Sequence, residues 1–74
     1  MSITRLDLAG LKCPLPVLKT RKALAALQKG DQLHVVCTDP MAAIDIPNML
    51  RETGDHLADQ KREDKCLIFE IEKR

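Results

Sequence analysis

Polar and apolar residues alternate over residues 3–8, and the run is broken by Gly10 just before Cys13. That period predicts a first strand. From residue 14 the spacing lengthens. Val17, Thr20, Leu24 and Leu27 fall on one side of a helix together with Ala23, which predicts a helix over 14–29 whose stripe faces the core and whose C′ residue is Gly30. Leu15 and Leu18 lie off that stripe, on the face that carries Lys19 and Lys22. Alternation returns over 32–38, with Leu33, Val35 and Cys37 facing one way and His34, Val36 and Thr38 the other. Asp39-Pro40 reads as the N-cap and first position of a second helix. Pro47 predicts a break, a kink or a restarted turn within it, around which Ile46, Met49, Leu50 and Thr53 form a stripe closed by Gly54. Strand-like segments at 55–61 and 66–73 flank a charged turn around Arg62-Glu63-Asp64-Lys65, with Leu67, Phe69 and Ile71 alternating inward. They read as a terminal hairpin.

The element order is therefore βαβαββ. With no repeat or linker, the economical architecture is an α/β fold in which one mixed four-stranded sheet is covered on one face by two helices. Seventy-four residues make one domain, 1–74, near the lower size limit for folding without staples. Phe69 is the single aromatic residue, so the core is aliphatic and no platform for stacking nucleobases is present. No apolar run approaches the roughly 18 residues of a membrane span. Residues 1–11 include Asp7 and no continuous apolar segment, so neither membrane insertion nor secretion is expected and the cytoplasm is the default compartment. Three cysteines without paired spacing argue against a disulfide framework and fit a reducing environment.

The chemistry concentrates at Gly10-Leu11-Lys12-Cys13-Pro14-Leu15-Pro16. Pro14 read as the first helical residue makes Cys13 the N-cap, a place ordinarily held by Ser, Thr, Asp or Asn. Cys13 is then either a small hydrophobe or a group kept for its reactivity. A helix start offers free N–H groups and the positive end of the macrodipole, and both favour thiolate. Pro16 at N3 removes a further donor, so a modest lowering of the thiol pKa is expected. The prolines also restrict the backbone and hold the sulfur in nearly one position. Between Leu8 and Gly30 the chain carries Lys12, Lys19, Arg21, Lys22 and Lys29 and no acid, whereas the rest holds seven bases against eleven acids. That basic stretch is either a solvated helix face or a field that holds the thiolate, with Lys12 nearest, and steers acidic partners toward it. Exposed leucines beside a reactive thiol, Leu15 and Leu18, are either ordinary surface scatter or, as their place suits better, a docking surface rimmed by Lys19 and Lys22.

Other chemistries fit less well. Cys13, His34, Cys37, His56 and Cys66 show no ligand spacing, so no metal and no cofactor is expected. A dithiol switch would need a second cysteine where Pro16 stands. A Cys–His nucleophile would need His34 or His56 to reach Cys13, and both histidines read more simply as structural or surface residues. Cys37, on the apolar face of a strand, reads as core. Cys66 begins the last strand with no helix end or basic cluster to activate it. Carrier chemistry suits a single exposed cysteine on a domain too small for a deep pocket. A thiolate attacks a persulfide, takes its outer sulfur and yields it to an acceptor, as in thiol–disulfide exchange. The alternative is a nucleic-acid-binding or regulatory interaction module that uses the basic face of the first helix through Lys19, Arg21, Lys22 and Lys29. Near-neutral net charge and the lack of aromatics weigh against it, so direct nucleic-acid binding is not expected.

Leu6-Asp7 with Gly10-Leu11-Lys12-Cys13-Pro14-Leu15-Pro16, Thr38-Asp39-Pro40 and Asp45-Ile46-Pro47 together resemble the TusA/SirA sulfur-carrier family over nearly the whole chain. The resemblance implies a two-layer α/β sandwich, a cytoplasmic location, and Cys13 as the persulfide-bearing residue within the Cys-Pro-x-Pro element formed with Pro14 and Pro16; a monomer is expected. It implies cysteine desulfurases or rhodanese-type sulfurtransferases as donors. The implied acceptors are DsrE-like proteins, in relays toward tRNA thiolation, molybdenum cofactor or sulfur oxidation. Members similar to this chain that serve tRNA thiolation usually carry glutamate between the two prolines. Here that position is Leu15, so a different acceptor, or a paralogue serving another pathway, is expected at least as much as a role in tRNA thiolation.

Overall fold

A computed structural model describes residues 3–74. The elements are β1 (Ile3–Leu8), α1 (Leu15–Ala25), β2 (Gln32–Cys37), α2 (Ala42–Thr53), β3 (His56–Glu63) and β4 (Cys66–Glu72). They form the expected βαβαββ order in one mixed four-stranded sheet, with strand order β1-β2-β4-β3. The α1 crossover returns the chain to lay β2 parallel to β1. The final hairpin then places β4 antiparallel to both β2 and β3.

Period-2 patterning sets the register. Leu33, Val35 and Cys37 of β2 stand opposite Ile71, Phe69 and Leu67 of β4, and Leu8 of β1 stands opposite Cys37. These residues meet Leu24 of α1 and Ala42, Ile46, Met49 and Leu50 of α2 in one core, with Val17, Ala23 and Leu27 packed against it. The expected inward residues of the strands and of both helices are therefore buried, or in the case of Val17, Ala23 and Leu27 partly buried against the core, apart from Thr53, which is exposed.

Helix boundaries depart from expectation for identifiable reasons. Rather than spanning 14–29, α1 ends at Ala25. Ala26 and Leu27 donate to the carbonyls of Ala23 and Leu24, tightening the last turn. The Asp31 carboxylate then accepts the Gln28 N–H at 3.0 Å. Gly30, at φ +93°, donates its N–H to the Lys73 carbonyl, and Lys73 donates back to Asp31. Gly30 is thus a turn residue tying α1 to the end of β4, not the C′ of the helix.

Pro47 does not divide α2, which runs unbroken over Ala42–Thr53 to a left-handed Gly54 at φ +83°. An interior proline costs about 3 kcal/mol. Ile46, Met49 and Leu50 are all buried on this helix, and each such side chain contributes about 1.5–3 kcal/mol, so continuity wins. The regular helix begins at Ala42, but Asp39 still acts as its cap. The Asp39 carboxylate accepts the Met41 N–H at 3.1 Å, with Pro40 between them. In the hairpin, β3 starts at His56 and extends to Glu63, so the turn shrinks to Asp64 and Lys65, with Asp64 at φ +53°.

Candidate functional site

Because β1 and β2 are parallel, the loops that follow them leave the same end of the sheet, and both helices begin there. Ends of parallel strands are where α/β folds build their sites. The two loops clasp each other. Gly10, at φ +84°, donates its N–H to the Thr38 hydroxyl at 2.8 Å. Cys13 donates its N–H to Oδ2 of Asp39, whose Oδ1 accepts from Met41. One carboxylate therefore holds the cysteine loop and starts α2.

Cys13 is exposed at this junction. It is not the N-cap of α1. Pro14 holds that place, Leu15 is the first helical residue, and Pro16 comes second rather than third. The Leu15 N–H, a helix-start donor of the kind that would favour thiolate, donates to the Lys12 carbonyl at 2.9 Å and not to the sulfur. Pro16 is buried and anchors the helix start in the core. Among the described residues, the hydrogen-bond partner of the sulfur is Asp45 of α2, with Sγ 3.3 Å from Oδ2.

This reverses the expected electrostatics. The Cys13 thiol is raised above its ordinary pKa, first by the hydrogen bond to the Asp45 carboxylate, then by desolvation and the negative charges of Asp45 and Asp39. Lys12, expected to stabilise a thiolate, is exposed on the loop, and the charges that raise the thiol's pKa are those of Asp45 on α2 and Asp39 in the loop before it. Charges adjacent along the chain, Lys12 above all, are not the ones that decide. The fold brings in carboxylates 26 and 32 residues away.

From Cys13 a shallow groove runs between the helices, lined by Val17 and Arg21 on one side and Asp45, Asn48 and Glu52 on the other. At its far end the Arg21 guanidinium meets the Glu52 carboxylate at 3.3 Å, which engages one cation of the basic helix in an intramolecular pair. Leu15 and Leu18 are 43% and 54% exposed, as their place off the core stripe implies. Lys19 and Lys22 share that outer face and line a separate depression against Leu6 of β1. At the start of the helix that carries Asp45, Met41 and Ile44 are 48% and 58% exposed, apolar residues that the sequence pattern did not single out. Asp39 and Asp45 were also missed as groups acting on the sulfur. The signal for them was an Asp-Pro following the second strand of a parallel pair, which puts its acids at the same sheet end as Cys13.

The remaining cysteines and histidines are elsewhere. Cys37 is fully enclosed, and burial pushes its thiol up to about 11. Cys66 is half-buried at the start of β4. His34 pairs with Glu70 across the sheet at 3.4 Å, and His56 is exposed at the start of β3. Among the described residues, no helix is long and apolar enough to cross a membrane.

The family described as Sulfurtransferase TusA matches residues 4–73. A Neisseria meningitidis serogroup A protein, named as a candidate sulfur carrier, is 47% identical over 72 residues, covering 97% of both chains. The sulfur carrier protein TusA of Allochromatium vinosum is 41% identical over 68 residues, covering 92% of this chain and 90% of its own. The sulfur carrier protein TusA of Pseudomonas entomophila is 36% identical over 69 residues, covering 93% and 86%.

Proposed function

The chain belongs to the TusA family of sulfur carriers, and from that premise we propose that Cys13 is the residue that bears the sulfur, as a persulfide. The observation that carries this reading is an exposed thiol where two loops of parallel strands are clasped together, in a chain matched by the family across both loops. The protein takes part stoichiometrically in the half-reactions of a relay. A donor persulfide passes its outer sulfur to Cys13, and an acceptor nucleophile then removes it. Exposure and docking are what such exchange needs, and the open groove beside Cys13 supplies access without a deep cavity.

Pro14 and Pro16 fix the approach of the loop. Leu15 and Leu18 are the apolar anchors of partner docking, with Lys19 and Lys22 as a basic rim, and Met41 and Ile44 are further exposed apolar residues at the start of α2. The donor is a cysteine desulfurase or a rhodanese-type protein, and the acceptor is a DsrE-like or other sulfur-accepting protein. The compartment is the cytoplasm, where three free thiols remain reduced. Leu15 between the two prolines, an apolar group where the members that serve tRNA thiolation usually carry glutamate, leaves an acceptor outside tRNA thiolation at least as well supported as one within it. The test is an intact-mass spectrum after incubation with a cysteine desulfurase and cysteine. The expected product gains the mass of one sulfur atom, which an excess of thiol removes. A protein that gains none, with its Cys13 reduced and accessible to alkylation, would overturn the reading.

A further inference from the structure

The surroundings of Cys13 favour its neutral thiol over its thiolate. Desolvation, Asp45 and Asp39 all disfavour its thiolate. The positive groups of the surrounding elements do not offset them, since Arg21 of α1 is paired with Glu52 of α2 and Lys12 lies exposed on the loop. A thiol must lose its proton to attack, and a high-pKa thiolate is a poor leaving group when the sulfur is handed on. Both difficulties are met by a proton carrier at Sγ. The Asp45 carboxylate stands 3.3 Å from Sγ, within reach for proton transfer. It is half-buried on the first turn of a helix whose core face is fully packed, so its position is held by α2 and not by the mobile end of a long side chain.

We propose that Asp45 is a catalytic residue of the exchange, taking the proton of the thiol that attacks and returning it to the sulfur that leaves. The proposal rests on the reading of Cys13 as the sulfur-bearing residue. In loading, Cys13 Sγ attacks the outer sulfur of the donor persulfide. The new S–S bond forms as the donor's S–S bond breaks, and the electron pair leaves on the donor sulfur. The Sγ proton passes to Asp45 Oδ2 and then to the departing donor thiolate. One thiol and one persulfide are consumed and one of each is formed, with no net oxidation and the carboxylate regenerated. Delivery is the same reaction in the opposite sense. The acceptor thiol attacks the outer sulfur of the Cys13 persulfide, its proton passes to Asp45, and Asp45 protonates Sγ as it leaves.

Two rates separate this role from a structural one: alkylation of Cys13 by iodoacetamide across pH, and single-turnover loading from glutathione persulfide. They are measured on the intact chain and on Asp45→Asn and Asp45→Ala, each checked for folding by circular dichroism. Removing the carboxylate lowers the Cys13 pKa, so alkylation at neutral pH becomes several-fold faster. Loading becomes at least tenfold slower, since general acid–base groups contribute about 10²–10⁴-fold. Opposite changes in the two rates, in both variants, support the proposal. Parallel acceleration overturns it, because Asp45 would then only suppress the thiolate. Unchanged loading, or parallel slowing of both rates, overturns it in favour of a structural role. If the unaltered protein acquires no transferable sulfur at all, the carrier reading itself fails.

Discussion

The two helix starts at the end of the sheet are built from similar grammar and do opposite things. Each follows a parallel strand and enters its helix through a proline, Cys13-Pro14-Leu15-Pro16 for α1 and Thr38-Asp39-Pro40 for α2. The α1 start has no acid in its first turn and no side-chain cap, and its prolines remove two backbone donors. The α2 start has Asp39 as a cap and Asp45 in its first turn, where negative charge complements the helix dipole. The uncapped start is held in place by the capped one, because Asp39 also accepts the Cys13 N–H. The lesson is that the sulfur sits on one helix start while its protonation is governed by the other. The α1 start supplies the thiol and an outward apolar and basic face, and the α2 start supplies restraint and acid.

The sharpest way to break this division is at the outward face. Replacing Leu15 and Leu18 together by Ala removes both anchors from the α1 start. A binding anchor truncated to Ala commonly costs more than about 1 kcal/mol, so affinity for a sulfur donor should fall by about tenfold or more, read by calorimetry on a variant that remains folded. Unchanged affinity would move docking away from α1. On the other side, Asp39→Ala removes a cap and the restraint on Cys13 at once. Stability should fall by about 1–2 kcal/mol in urea unfolding. Alkylation of Cys13 should shift to lower pH, since one of the charges opposing its thiolate is gone.

Cys37, the last residue of β2 before the α2 start, gives a pH test of the sign. Its thiol lies at about 11 in the folded chain and near the ordinary value of about 8.5 when unfolded. The stabilisation it contributes is fully present below the unfolded value and is lost as pH rises through the folded one. Unfolding midpoints should therefore decline from about pH 8.5 upward, and Cys37→Ala should flatten that decline. The smallest effect belongs to the basic rim. Lys19→Glu with Lys22→Glu should slow association with a donor by a few-fold at low salt and leave dissociation little changed, with the difference vanishing as salt is raised.

Much of the fold was legible from periodicity, and the reason is visible in the core. Leu33, Val35, Leu67, Phe69 and Ile71 alternate because a half-covered sheet demands it, and Leu24, Ile46, Met49 and Leu50 recur at helical spacing because each helix buries one stripe. The exposed Leu15 and Leu18 were legible for the complementary reason that they break the stripe. The end of α1 was not legible, because it is decided by the bonds joining Gly30 and Asp31 to Lys73 at the other end of the chain. The continuity of α2 was hidden by Pro47, whose local preference loses to the packing around it. In the site, the thiol and its prolines could be read directly. Its acid partners could not, since Asp39 and Asp45 reach Cys13 only through the parallel pairing of β1 and β2.

The central claim is that transferable sulfur resides on Cys13 and on no other thiol of this chain. The direct measurement compares the intact chain with Cys13→Ser, Cys37→Ala and Cys66→Ser after loading by a persulfide donor, scoring by mass both the sulfur gained and the sulfur passed to an acceptor thiol. The account predicts that loading and delivery are abolished in Cys13→Ser and kept in the other two. Sulfur that loads onto folded Cys13→Ser and can still be passed on would contradict it.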